Sequence, residues 1–138
     1  MTDTFSRAER SRIMAAVKSK DTTPEMVVRR LVHGMGYRYR LHVAGLAGNP
    51  DLVLPRLRKV IFVSGCFWHM HGCGRCRIPA SRRSYWVKKL ERNATRDKRV
   101  QRALRRDAWS VLVVWECQTQ FSRRKLLTSR LEGFLSGP

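Results

Sequence analysis

Apolar residues recur along the chain in two rhythms. Three runs, DLVL at 51–54, RKVIFV at 58–63 and WSVLVVWE at 109–116, are short and nearly continuously apolar. Strands covered on both faces read this way. A fourth run, YRYRLHV at 37–43, alternates apolar with polar positions, as a half-buried strand does. Helical rhythm appears elsewhere. Ser6 with Glu9 forms a capping box leading into RSRIMAAVKSK, whose thin apolar stripe and basic flanks suit an arm spanning residues 1–20. A second helix is predicted from Thr23, a hydroxyl N-cap followed by Pro24 at the first helical position. Val27, Val28, Leu31 and Met35 carry its buried face, and Gly34 and Gly36 end it. A long helix is expected from about Ser84 to Arg106, and a last one from about Ser122 to Phe134. The resulting order is α-α-β-β-β-α-β-α. Strand, helix, strand argues for a parallel pair joined by a right-handed crossover. The expectation is an α/β fold, one domain over residues 21–138 with a mixed central sheet flanked by helices.

The long helix carries an anomaly. Trp86, Leu90, Asn93, Asp97, Val100 and Leu104 follow steps of four and three and so share one face. Asn93 and Asp97 place polar groups in an apolar stripe, and a carboxylate in that position needs a partner.

Charge narrows the function. Lys and Arg number 29 against 10 acids, a net charge of +19 in 138 residues. Such an excess strains the compact chain by self-repulsion and points to a polyanion. Nucleic acid fits best, because Arg suits phosphate and guanine contacts. The N-terminus lacks the apolar core of a signal peptide, and no run is long enough to span a bilayer, so a cytoplasmic location is expected. There the four cysteines are metal ligands or free thiols rather than disulfides.

Candidate chemistry concentrates in SGCFWHMHGCGRC, residues 64–76. Cys66, His69, His71, Cys73 and Cys76, with Cys117 beyond the last strand, offer more soft ligands than the four a structural zinc takes. Spacing alone favours the contiguous set ending at Cys76 without excluding Cys117. Asp51, after Gly-Asn-Pro at the head of a buried strand, and Glu25, in the first turn of a helix, are oxygen donors suited to Mg²⁺. A turn aspartate and a helix-dipole partner explain each of them equally well when read singly. His69 can serve as a general base, with Asp97 available to orient it. Phe67 and Trp68, joined by Trp86, suggest wedging between bases or stacking on them.

Taken in order, GNPDLV, KVIFVSGCFWH, His71, Cys73, YW at 85–86, ERNATRDKR and WSVLVVWEC resemble the very-short-patch-repair (Vsr) mismatch endonucleases of bacteria. The resemblance implies a PD-(D/E)xK restriction-endonuclease-like core. It also implies an enzyme that nicks double-stranded DNA 5′ of the T in a T·G mismatch left by 5-methylcytosine deamination. By position, Asp51 is then the main Mg²⁺ ligand with the Val63 carbonyl, Glu25 an accessory acid, and His69 paired to Asp97 the base. Cys66, His71, Cys73 and Cys117 are the implied zinc ligands, leaving Cys76 outside. Phe67, Trp68 and Trp86 are the implied wedge, and the N-terminal helix with Met14 lies across the minor groove. A monomer in the bacterial cytoplasm, associated with the nucleoid and with other mismatch-repair proteins, is expected. Val63 and Ser64 depart from the family's usual Thr-His pair. Ser64 can donate a hydrogen bond but no imidazolium proton, and Lys59 is a candidate substitute. The rival expectations are a zinc-containing DNA-binding protein without catalysis, and a PD-(D/E)xK restriction-type nuclease without mismatch specificity.

Overall fold

The computed structural model describes residues 22–66 and 80–137. The predicted N-terminal arm with Met14 lies outside them, as do Phe67, Trp68, His69, His71, Cys73 and Cys76. The described elements are α1 (Thr23–Gly34), β1 (Arg40–Leu41), β2 (Leu52–Leu54), β3 (Lys59–Ser64), α2 (Arg83–Arg106), β4 (Ser110–Trp115) and α3 (Arg124–Ser136). The strands form one sheet in the order β1-β2-β3-β4. The first two pairings are antiparallel and the β3–β4 pairing is parallel, with α2 as the expected crossover.

Continuous apolarity in the strands has its reason in two packed layers. Leu52, Leu54, Ile61, Leu112 and Val114 turn to one face and meet Val27, Val28 and Val32 of α1 and Leu127, Leu131 and Leu135 of α3. Val53 and Val60 turn to the other and meet Leu104, with Val100 and Val111 beside them. The period-two alternation of each strand thus feeds both layers. On α2, Leu90 and Leu104 are buried while Trp86, Asn93, Asp97 and Val100 are half-buried, so the predicted stripe is one face.

Three local expectations are corrected. The N-cap of α1 is Thr22, whose Oγ1 accepts from the Glu25 amide at 3.3 Å. A hydroxyl reaches the third helical amide, so Thr23 and Pro24 already belong to the first turn. The alternating run at 37–43 pairs only at Arg40–Leu41, because His42 takes a left-handed conformation (φ 47) that ends the strand. Lys59 is remote from Ser64, at the opposite end of β3, and nearly fully buried. Its Nζ donates to the carbonyls of Phe134 (2.6 Å), Leu135 (3.1 Å) and Gly137 (2.6 Å). It closes the negative end of α3, a favourable place for a buried ammonium.

The loop before Asp51 is fastened to α2. Gly48 has φ 72, and a Cβ there would fall 2.3 Å from Val100 Cγ1. Asn49 follows with φ 49, and its amide donates to Leu46 O at 3.2 Å. Gly48→Ala combines a left-handed strain with a clash against a stiff β-branched side chain. A loss of about 2–4 kcal/mol in denaturant unfolding is expected. A loss within about 0.5 kcal/mol would contradict this close approach.

Candidate active site

Strand register assembles the site. Leu41 faces Leu52 and Leu52 faces Ile61, so the chain after β1, the residue before β2 and the end of β3 meet at one edge. Parallel pairing adds the end of β4, with Val63 opposite Val114 and Ser64 opposite Trp115. At this edge Asp51 Oδ2 accepts the Val63 amide at 2.7 Å. Asp51, Ser64 and Asp97 line one cleft of about 720 Å³, together with Asn49, Val63 and Trp115. Asp97 reaches it from α2 and Ser64 from the tip of β3.

Behind Asp51 lies a charged cluster. Glu25 is 1 % exposed. It is ion-paired with Arg29, one helical turn on, and its Oε2 is 3.2 Å from His42 Nε2. Arg29 Nη2 is 3.3 Å from the same imidazole nitrogen. Donor atoms of Glu25, His42 and Asp51 all lie within 4.8 Å of one another. Burial, the largest influence, pushes the Asp51 carboxyl up from 3.8 to about 7. The Val63 amide opposes that rise, the neighbouring Glu25 adds to it, and Arg29 offsets part of it. A carboxylate pair whose charge one guanidinium balances incompletely, beside an imidazole, is a donor set that fits a divalent cation.

Arg29 and His42 are the site residues that the sequence pattern misses. Arg29, four positions after Glu25, reads as an ordinary surface pair. In the strand rhythm His42 falls on the polar face, and its left-handed backbone reverses that placement. The signal for Arg29 was present, because a helix whose first turn is buried must bury its charge partner as well.

The two described cysteines, far apart in sequence, are neighbours in the fold. Cys66, just past β3, and Cys117, just past β4, are both buried, and the Cys117 amide donates to Cys66 Sγ at 3.4 Å. Parallel strands of equal reach deliver two chain segments to one place. At the head of α2, Trp86 is half-buried against Tyr85, ring centroids 5.3 Å apart and 73° between planes. Lys89 Nζ lies 5.7 Å from the Trp86 ring centroid and Arg82 Cζ 4.5 Å from that of Tyr85.

Similarity to known proteins agrees with this assembly. The family described as DNA mismatch endonuclease Vsr matches residues 2–75. The chain is 47 % identical over 135 residues to the type II nicking enzyme V.XorIIP of Xanthomonas oryzae pv. oryzae, covering 98 % of each. The chain belongs to the Vsr family. The DNA mismatch endonuclease Vsr of Escherichia coli is 40 % identical over 141 residues, 99 % of this chain and 90 % of that one. Among solved structures, the catalytic domain of homing endonuclease I-Bth0305I superposes with a TM-score of 0.57 at 20 % identity, covering 83 % of this chain and 94 % of that one. The fold is thus restriction-endonuclease-like, and as a Vsr protein the chain is a mismatch-directed DNA nicking endonuclease.

The raised Asp51 pKa has a thermodynamic signature in buffer without added divalent cation. Between about pH 4 and 7 the folded chain keeps a proton that the unfolded chain has released. Asp51 therefore favours the native state fully at low pH, and that contribution is lost as pH rises through about 7. Asp51→Asn retains the acceptor for Val63 and removes the charge. The variant should be more stable than wild type by about 1–3 kcal/mol at pH 8, with the difference shrinking as pH falls below about 7 and closing below about pH 4. Urea titrations across pH measure this, and a pH-independent difference would refute the origin given.

Proposed function

We propose that this Vsr protein is an Mg²⁺-dependent endonuclease that nicks double-stranded DNA 5′ of the T in a T·G mismatch. The observation that carries the reading is the position of Asp51. It is fixed on the Val63 amide at the head of a cleft shared with Ser64 and Asp97, in a chain of net charge +19. Cationic surface supplies sequence-independent attraction for the duplex.

Asp51, with the Val63 carbonyl and with Glu25 behind it, holds Mg²⁺ in this reading. The ion supplies Lewis acidity toward the phosphoryl group and its leaving oxygen. His69, oriented by Asp97, takes the proton of the attacking water. Ser64 donates a hydrogen bond to a phosphate oxygen. The products are a 3′-hydroxyl and a 5′-phosphate. Phe67, Trp68 and Trp86 enter the base stack beside the mismatch, and Met14 on the N-terminal arm approaches from the minor groove. Cys66, His71, Cys73 and Cys117 bind zinc and hold the wedge against the catalytic edge, while Cys76 is dispensable. The protein acts as a monomer in the cytoplasm, alongside other mismatch-repair proteins. Among the described residues no helix is long and apolar enough to cross a membrane.

Asp51→Ala should lower nicking of a T·G duplex by about three orders of magnitude with duplex affinity retained. Wild-type protein should leave the matched A·T control intact under the same conditions. Equal cleavage of the two duplexes would replace mismatch recognition by a restriction-type activity. Zinc analysis should give about one ion per chain, retained in Cys76→Ser and lost in Cys117→Ser. The reverse pattern would assign the ion to the contiguous ligands.

A further inference from the structure

His42 has a place at the cation site that follows from geometry alone. Its backbone sits at φ 47, a region that non-glycine residues seldom adopt and that clusters at functional positions. The turn sends its imidazole inward, away from the solvent that the neighbouring Leu41, 39 % exposed, partly faces. Nε2 then stands between Arg29 Nη2 at 3.3 Å and Glu25 Oε2 at 3.2 Å. A guanidinium only donates, so an unprotonated Nε2 turns its single lone pair toward Arg29, beside the Glu25 carboxylate. A cation that takes this lone pair in place of the Arg29 hydrogen bond is shared by nitrogen and carboxylate. A protonated Nε2 would instead tie His42 to Glu25 by a hydrogen bond and leave it no part in ligation.

The spacing suits the first arrangement. Ligands on an octahedral ion lie about 3 Å apart when adjacent and about 4.3 Å apart when opposite. Donors from Glu25, His42 and Asp51 fall within 4.8 Å of one another, a spread that small side-chain rotations close. The Arg29 guanidinium is paired with Glu25, while Asp51 is held by the neutral Val63 amide, which leaves room for further positive charge.

We propose that His42 supplies a nitrogen ligand to the divalent cation held by Asp51 and Glu25, and so biases the site toward Mn²⁺ over Mg²⁺. The inference rests on the reading of Asp51 as a cation ligand. Its chemical basis is ligand preference: Mg²⁺ favours an all-oxygen, largely hydrated shell, whereas first-row transition ions accept imidazole readily. His42 would thus set which cation the enzyme prefers without taking part in proton transfer.

The test uses the full, zinc-loaded chain with ¹⁵N-labelled histidine and Mn²⁺ as the probe, read by electron spin echo spectroscopy. Bound Mn²⁺ should show ¹⁵N coupling that persists in His69→Ala and disappears in His42→Gln. Calorimetry should find Mn²⁺ affinity about tenfold lower in His42→Gln, with Mg²⁺ affinity nearly unchanged. Wild-type Mn²⁺ without nitrogen coupling would overturn the proposal, and so would coupling that vanishes in His69→Ala. The wild-type and His69→Ala spectra decide the question even if His42→Gln does not fold. Asp51→Asn separates the two readings. If it still binds Mn²⁺ as wild type does, the assignment of Asp51 fails; if it loses Mn²⁺ while wild type lacks nitrogen coupling, only the role of His42 fails.

Discussion

The site depends on the hydrogen bond from the Val63 amide to the Asp51 carboxylate. That amide belongs to β3, one of the two inner strands, which is held by the antiparallel ladder to β2 at Lys59–Ile61 and by the parallel ladder to β4 as far as Ser64. Asp51 is thereby tied to an inner strand of the sheet, although it belongs to a loop. The same bond works against the burial that raises its pKa, helping a buried acid to ionise where a cation is to be held. Anchoring and chemical tuning reside in one contact.

Around that contact the fold separates duties by sheet edge. One end of β3 carries Val63 and Ser64, which line the cleft, and leads to Cys66, which accepts from the Cys117 amide. The other end carries Lys59, enclosed by the last carbonyls of α3. A cation buried at the first edge would compete with the reaction; placed at the second it stabilises helix packing, since a charged hydrogen bond contributes about 1.5–3 kcal/mol. The polar groups of this sheet are thus sorted along the strand, and the apolar ones across it.

Much of this was legible in the sequence, for identifiable reasons. Asp51 stood out because Gly-Asn-Pro stops one segment just before an apolar run begins. Asp97 stood out because a carboxylate interrupts a helical stripe whose other members are Leu90, Val100 and Leu104. Cys117 stays a candidate ligand in the sequence because its strand can pack beside the one that ends at Val63. The parallel pair itself followed from strand, helix and strand in succession. What escaped depends on backbone direction or on burial that pattern does not encode. Strand alternation assumes extended geometry, and the left-handed turn at His42 breaks the assumption at the residue where it matters. Arg29 looks like a solvent-facing partner of Glu25 until α1 is seen to begin against the sheet edge. Lys59 looked available to the cleft because sequence proximity to Ser64 hides the length of the strand between them.

The contact of Gly48 with Val100 ties the histories of two distant segments together. Gly48 precedes Asp51 by a short turn, and Val100 follows Asp97 by one turn of α2, so each acid is anchored near a member of the same pair. Neither segment can drift in sequence independently: a larger residue in the loop demands a smaller one on the helix, and a helix rotation would strand the loop. The cleft's two walls are thereby built as one part.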